Sequence, residues 1–368
     1  MRPEALSALL PYLTEHFGNP SASHTPGRRA LAAVDNARQL VAGHLGAEPG
    51  EVVFTGGGTE SCNLAVLGAH RSTGGAVVCS AVEHRAVMGP CLSVGANVVG
   101  VEPTGLLDLG ALAGALHPGV GLVSLMLANN EVGVVQPLAR AVALVRELAP
   151  RALVHTDAVA AASWLDLAAD TADADLVSVA AHKFGGPKGM GALVVRGGAR
   201  LTPLLLGGAQ ERERRPGTQD VASIVAMAAA LDAAVAGRDK ERGRVGALRD
   251  ALADGLRERV PGTVPSVVPP TASAPGSIEV LPGTLHVRFD AVEQEELLVL
   301  LDDQGVYASA GAACASGALE PSHVLLAMGM TPVQARQAVR FTLGWSTSAD
   351  DVEVAVSAVA KAVEQLRG

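Results

Sequence analysis

Aromatic rings are nearly missing from this chain of 368 residues: two Trp, two Tyr and five Phe, 2% in all. With 49% of its residues hydrophobic, its core has to be built from Ala, Val and Leu through many close helix and sheet contacts. Cysteine is scarce as well, with four residues and no C-x-x-C pair. That favours free thiols in a reducing compartment over a disulfide framework. The ten histidines include no H-E-x-x-H and no close His/Cys cluster, which argues against a metal site. An excess of positive charge is missing too. A net charge of −9 disfavours nucleic acid or an anionic membrane surface as the main partner. The opening stretch, MRPEALSALLPYLTEHFG, meets charge and proline too early for a signal peptide. The most apolar later run, VASIVAMAAALDAAVAG, is Ala-rich and carries Asp232, so it reads as a buried helix. The expected compartment is the cytoplasm.

The length suits one large domain and a smaller one. From residue 51 onward, short β-type runs alternate with helical spacing. EVVFT, AVVCS, NVVGVE, GLVSLMLA, ALVHTD, LVSVA and ALVVR are seven strand candidates, with helical segments such as 59–70, 84–95 and 136–148 between them. This alternation predicts an α/β fold with a mostly parallel sheet covered on both faces, and a ligand site at the carboxyl ends of its strands. A long Ala-rich helix over about 221–260 leads into a Pro/Ser-rich connection at 261–277 without periodicity. TLHVRF, an acidic helix, AVRFTLG and a closing helix then predict a smaller α/β domain. The expected division is 15–235 for the large domain, with 1–14 and 236–368 forming the small one.

Three loops after strands carry the chemistry. FTGGGTES opens a helix after a strand, and glycine backbone next to a helix N-terminus suits a phosphate. It matches neither the Walker nor the dinucleotide pattern, so a glycine turn with a Thr cap is equally compatible. VHTDAV ends a strand in Asp157, which by itself reads as a helix cap. SVAAHKFGGPKGMG places Lys183 after another strand, among small residues, where a lysine of lowered pKa would form a Schiff base. Together, a phosphate cradle, a strand-end Asp and a strand-end Lys 26 residues later are the groups that pyridoxal phosphate requires.

GNPSASHTPGRRA, VVFTGGGTESCNLAVLG, VEHRAVMGPC, MLANNEVGVVQPL, HTDAV, AAHKFGGPKGMGALVVR, GGAQERERRPGTQDVA, SAGAACASGALEPSHVL and AVRFTLGWST, in that order from about residue 16 to 350, resemble the cysteine desulfurases. These are fold-type I pyridoxal phosphate enzymes of the class V aminotransferase group. The resemblance implies that Lys183 holds the cofactor and later moves the substrate Cα proton, and that Asp157 pairs with the pyridine nitrogen. His84 would stack on the ring and assist proton transfers as a catalytic residue, and Asn130 would contact the ring's 3′ oxygen and lie beside the substrate. Gly58, Thr59 and His182 would hold the phosphate, with Thr218 reaching in from the other subunit of a homodimer. Arg340 would bind the carboxylate of L-cysteine, and Cys314 would take its sulfur as a persulfide. The long Gly/Ala/Ser loop around Cys314 resembles the branch that passes sulfur to acceptors for iron–sulfur cluster assembly or tRNA thiolation. Small residues suit a segment that has to carry a thiol between a cofactor and an outside acceptor.

Four features depart from the family pattern. The short strand and Ala/Thr-rich turn that usually precede the position of Met1 and line the substrate pocket are absent; the expectation is that the start was assigned too late, the alternative being that part of the pocket is lacking. A Gln that contacts the cofactor oxygen is Ala160 here, and a phosphate-contacting Ser is Ala180. Two missing neutral hydrogen bonds weaken cofactor binding by roughly 1 kcal/mol each without abolishing it. Pro216, where the family has a small residue, would shift Thr218. The alternatives are a cofactor-poor scaffold subunit, or a selenocysteine lyase or aminotransferase of the same group. An aminotransferase has no use for Cys314. Cys62, Cys79 and Cys91 are expected to be packed as small hydrophobes.

Overall fold

The structure is a computed structural model that describes residues 1–267, 278–311 and 320–368. Cys314 lies outside the described residues. The chain divides into two compact units: residues 1–99, 109–127 and 137–238 form the first, and 100–108, 128–136 and 239–368 the second.

Among the described residues the first unit holds seven strands, β1 (Val52–Thr55), β2 (Ala76–Ser80), β3 (Asn97–Val99), β4 (Val120–Ser124), β5 (Leu153–Asp157), β6 (Leu176–Ala180) and β7 (Gly191–Val195). They form one sheet in the order β1-β7-β6-β5-β4-β2-β3. β3, β2, β4, β5 and β6 run parallel, and β7 lies antiparallel to both β6 and β1. All seven strands fall on the runs read from the sequence. β4, β6 and β7 are buried at every residue, as a sheet covered on both faces requires, which is why these runs are continuously apolar rather than alternating. The helix Gly58–Thr73 packs on this sheet through Cys62, Leu64, Ala65, Val66 and Ala69. Its last turn ends at Gly74, whose φ of 65° is the left-handed closure that glycine adopts without strain.

The second unit contains β8 (Thr263–Pro265), β9 (Thr284–Phe289), β10 (Ser309–Ala310) and β11 (Ala338–Thr342), paired antiparallel in the order β10-β11-β9-β8. Two of these strands have no signature of their own. β8 sits in the Pro/Ser-rich connection, and β10 is two small residues that pair only because β11 is there to receive them. The closing helix Ala349–Arg367 starts with a reciprocal capping box between Ser348 and Asp351.

The division differs from the expected one at the N-terminus. The first helix, Pro3–Thr14, belongs to the larger unit, because the Arg2 amide donates to Gly185 O at 2.8 Å and its Nε to Phe184 O at 3.1 Å. The helix Val221–Arg259 is long and apolar enough, by length and composition, to cross a membrane. In the protein Ile224, Ala226, Met227, Ala230 and Leu231 are buried, so its N-terminal half packs as a core helix.

Candidate active site

Because β1, β2, β4, β5 and β6 point the same way, their carboxyl ends share one edge of the sheet. Gly58 and Thr59 follow β1, His84 follows β2, Asp157 ends β5, and His182 and Lys183 follow β6. Three separate strand ends thus bring the cradle, the carboxylate and the amine to one edge.

The glycine turn approaches its neighbours closely. Gly57 has φ of 123°, a conformation that side chains rarely adopt. A Cβ added at Gly58 would sit 3.1 Å from Val159 Cγ2 and 3.2 Å from Ala180 Cβ. The helix start is therefore pressed onto the residues that flank Asp157 and precede Lys183. Thr59 is exposed at the first turn. Asn63 Nδ2 donates to Thr59 O and Ala86 O, tying this helix to the one that His84 caps. His84 is half-buried, and its Nδ1 accepts from the Ala86 amide at 3.1 Å, which leaves Nε2 to carry the ring proton in the neutral form.

Asp157 is only 5% exposed, and its Oδ1 accepts from the Val159 amide at 2.9 Å. Burial pushes its carboxyl pKa up, while the Val159 amide and the charges of His84 and Lys183 pull it down. Glu83, buried beside it, is pushed well up by burial and by the Asp157 charge, and its Oε1 accepts from the Met126 amide at 2.6 Å. Of the two carboxyls, Asp157 is the one facing the Lys183 cation and accepting the Val159 amide, so it holds the negative charge and Glu83 the proton. Lys183 and His182 are exposed, and Ser163 Oγ anchors their turn by donating to Lys183 O at 3.0 Å. Burial, Lys183 and Lys188 all push the His182 pKa down, so it is neutral near pH 7.

Behind Asp157 runs a buried polar row that the sequence reading missed. Ser124, His155 and Ser178 lie on β4, β5 and β6, with His155 Nδ1 2.7 Å from Ser124 Oγ and Nε2 2.9 Å from Ser178 Oγ. One direction of donation satisfies the row: Ser124 Oγ donates to His155 Nδ1, and His155 Nε2 donates to Ser178 Oγ. Cys62, Cys79 and Cys91 are buried in the hydrophobic core beside this sheet, packed as small hydrophobes. Burial and the Asp157 charge push the Cys62 thiol pKa well up, so it is not a nucleophile. The H-T-D pattern was the one available signal for the row.

Burial pushes the His155 pKa down from 6.5 to about 3. Below pH 6.5 the unfolded chain takes up a proton that folded His155 refuses, so this contribution is present above pH 6.5 and lost as pH falls toward 3. Urea unfolding between pH 7 and 4.5 should show His155→Asn losing less stability on acidification than the parent, by about 1.4 kcal/mol per pH unit. Equal slopes for the two proteins would contradict a neutral, buried His155.

Thr218 is exposed in the first unit, after a segment under backbone strain. Glu211, Arg212 and Glu213 have φ of 48°, 54° and 64°. The buried Glu211 carboxylate holds this bend. It takes Arg38 in a two-pronged pair at 2.8 Å and the Phe54 amide at 3.0 Å, and Gln219 Nε2 donates to it as well. Pro216 is buried, and a Cβ on Gly207 would meet its ring at 3.0 Å, so the proline is packed into place just before Thr218. Ala180 is fully buried at the end of β6 and Ala160 is partly exposed.

Asn130 and Arg340 belong to the second unit, where they touch. Arg340 Nη1 donates to Asn130 O at 2.8 Å, and Nη2 to Ser309 Oγ at 2.9 Å.

The residues at the sheet edge fit pyridoxal phosphate by their chemistry. They offer a buried carboxylate facing a lysine, the exposed lysine itself, an imidazole, and a glycine cradle at a helix start. A mostly parallel sheet with these groups at its carboxyl edge defines a class of enzyme, and the whole chain agrees. The profile of class-V aminotransferases matches residues 1–354, and the chain belongs to that family. Within it the chain is a member of the cysteine desulfurases, and an enzyme. It is 41% identical over 379 residues to a cysteine desulfurase from Cereibacter sphaeroides, covering all of this chain and 94% of that one. It is 37% identical over 375 residues to cysteine desulfurase IscS from Dictyoglomus turgidum, covering 100% and 93%. Among solved structures, a NifS-like protein superposes with a TM-score of 0.90 at 30% identity, covering 99% of this chain and 96% of that one.

Proposed function

We propose that this chain binds pyridoxal phosphate through Lys183 and converts L-cysteine to L-alanine, leaving the sulfur on Cys314. The observation that carries the reading is the buried Asp157, opposed by the charge of Lys183 at the edge where Gly58 forms the cradle. When bound, the cofactor supplies an electron sink that acidifies the substrate Cα–H and weakens the Cβ–S bond.

The protein's own groups do the rest. Gly58, Thr59 and His182 hold the phosphate, with Thr218 added from the second subunit of a homodimer. Asp157 pairs with the pyridine N–H. Asn130 orients the ring oxygen, and His84 stacks on the ring. Arg340 takes the substrate carboxylate on its planar guanidinium, already held in place by Asn130 O and Ser309. Lys183, as the free amine, moves the Cα proton. The Cys314 thiolate forms an S–S bond to the substrate sulfur as the Cβ–S bond breaks. Cβ keeps that electron pair and gains a proton, giving alanine and a persulfide. The persulfide passes to a protein acceptor in the cytoplasm, for iron–sulfur cluster assembly or tRNA thiolation.

The purified protein with added pyridoxal phosphate should turn yellow, and with a thiol reductant it should release sulfide and alanine from L-cysteine in equal amounts. A protein that stays colourless with excess cofactor would instead support a scaffold subunit.

A further inference from the structure

The turn 129–133 of the second unit directs a carboxylate inward. Asn129 Oδ1 accepts from the amides of Glu131 and Val132 at 2.8 and 3.0 Å, and the Gly133 amide returns to Asn129 O. Glu131 is 3% exposed. Its Oε2 receives Ser322 Oγ at 2.5 Å, and Ser322 is itself buried. On another side the same oxygen meets the backbone of Gly311: a Cβ added there would stand 2.5 Å from Oε2 and 3.3 Å from His286 Nε2. His286 is 3% exposed, with Nδ1 2.7 Å from Ser266 Oγ and no partner for Nε2 among the described residues. Gly311 and Ser322 are three residues before and eight residues after Cys314. Both stems of the segment that carries the thiol therefore rest on one carboxylate.

The stem before Cys314 has a second attachment to the same turn. Ser309 lies opposite Arg340 in the β10–β11 register, and Arg340 lies opposite His286 in the β11–β9 register. Arg340 bridges Ser309 Oγ and Asn130 O, the residue before Glu131. Burying a carboxylate against a hydroxyl and a glycine contributes little net stability, since its desolvation offsets the hydrogen bond. What it does supply is position. A side chain at 311 would displace the carboxylate oxygen from this place.

We propose that Glu131 is a positioning residue for sulfur transfer, its carboxylate fixing both stems of the segment that presents Cys314 to the substrate. This rests on Cys314 being the sulfur acceptor. The consequence is a separation of effects. Cofactor and substrate binding do not depend on where the thiol is held, whereas the transfer step does.

The test uses holoenzyme and three variants, Glu131→Ala, Ser322→Ala and Gly311→Ala. Each should keep the cofactor absorbance and the KM for L-cysteine near the parent values. The single-turnover rate of persulfide formation on Cys314, and kcat with it, should fall by about tenfold to a hundredfold. The double variant Gly311→Ala/Glu131→Asp should recover part of the Gly311→Ala loss, because the shorter acid withdraws its oxygen from the added methyl. A fold that merely tolerated Glu131 would show no such rescue and no kcat-against-KM split. Unchanged persulfide rates in folded Glu131→Ala would overturn the proposal, as would a failure of the double variant to exceed Gly311→Ala. If Glu131→Ala does not fold, the Gly311→Ala pair still decides. Cys314→Ser separates the two ideas. Normal turnover there would remove the underlying assignment, while an inactive Cys314→Ser beside a normal Glu131→Ala would remove only the role of Glu131.

Discussion

Lys183→Ala will stay colourless when mixed with pyridoxal phosphate and passed through a desalting column, and its sulfide release from L-cysteine will fall by more than about a thousandfold. Two losses combine in that result. The variant lacks the amine that tethers the cofactor, and it lacks the base that takes the Cα proton. The neighbouring groups do not substitute for it: His182 has its pKa pushed down by burial and by Lys183 itself, and His84 is turned to cap its helix. Lys183 also sits beside a buried carboxylate whose charge it helps to hold. Its removal should therefore raise the Asp157 pKa further, toward a protonated form that cannot pair with a pyridine N–H. Normal colour and turnover in Lys183→Ala would remove the cofactor assignment altogether.

Cys314→Ala should separate colour from turnover. The cofactor absorbance should match the parent, because every residue proposed to hold the cofactor lies elsewhere in the chain. Steady-state sulfide release should fall by about a hundredfold or more, since no other described cysteine can replace the lost thiol. Cys62, Cys79 and Cys91 are all buried. Cys62 is also held protonated by burial and by Asp157, and a protonated thiol is a poor nucleophile. Spectral changes on adding L-cysteine should persist in this variant, since Lys183 and Arg340 remain. Unchanged sulfide release would show that the sulfur leaves by a route that does not pass through residue 314.

The large sheet was legible because each of its strands lies in a short, mostly apolar run bounded by a loop, and its central parallel strands are buried on both faces. The site loops were legible for a related reason. Glycines, a strand-end Asp and a strand-end Lys stand in places where packing alone would put something else. Contacts between distant parts of the chain left no such trace. Arg2 joins the first helix to the Lys183 turn across 182 residues, and nothing in PEALSALLPYLT announces it. Glu131 lies in a turn motif quoted for Asn130, and only the fold shows that its carboxylate reaches Gly311 and Ser322. β8 and β10 are strands by partnership: proline and small residues have little strand preference, and β9 and β11 supply the hydrogen bonds that order them. The three left-handed residues at 211–213 were equally hidden, since Glu and Arg do not favour that conformation and hold it here through the buried Arg38–Glu211 pair.

The most direct test is mass spectrometry of the peptide containing Cys314 after the holoenzyme meets one equivalent of L-cysteine labelled with heavy sulfur, without reductant. One heavy sulfur atom should be added to Cys314, matched by one alanine released, and none to Cys62, Cys79 or Cys91. Alanine formed in full with Cys314 unmodified, or the heavy sulfur found on another cysteine, would contradict the role of Cys314 as sulfur acceptor.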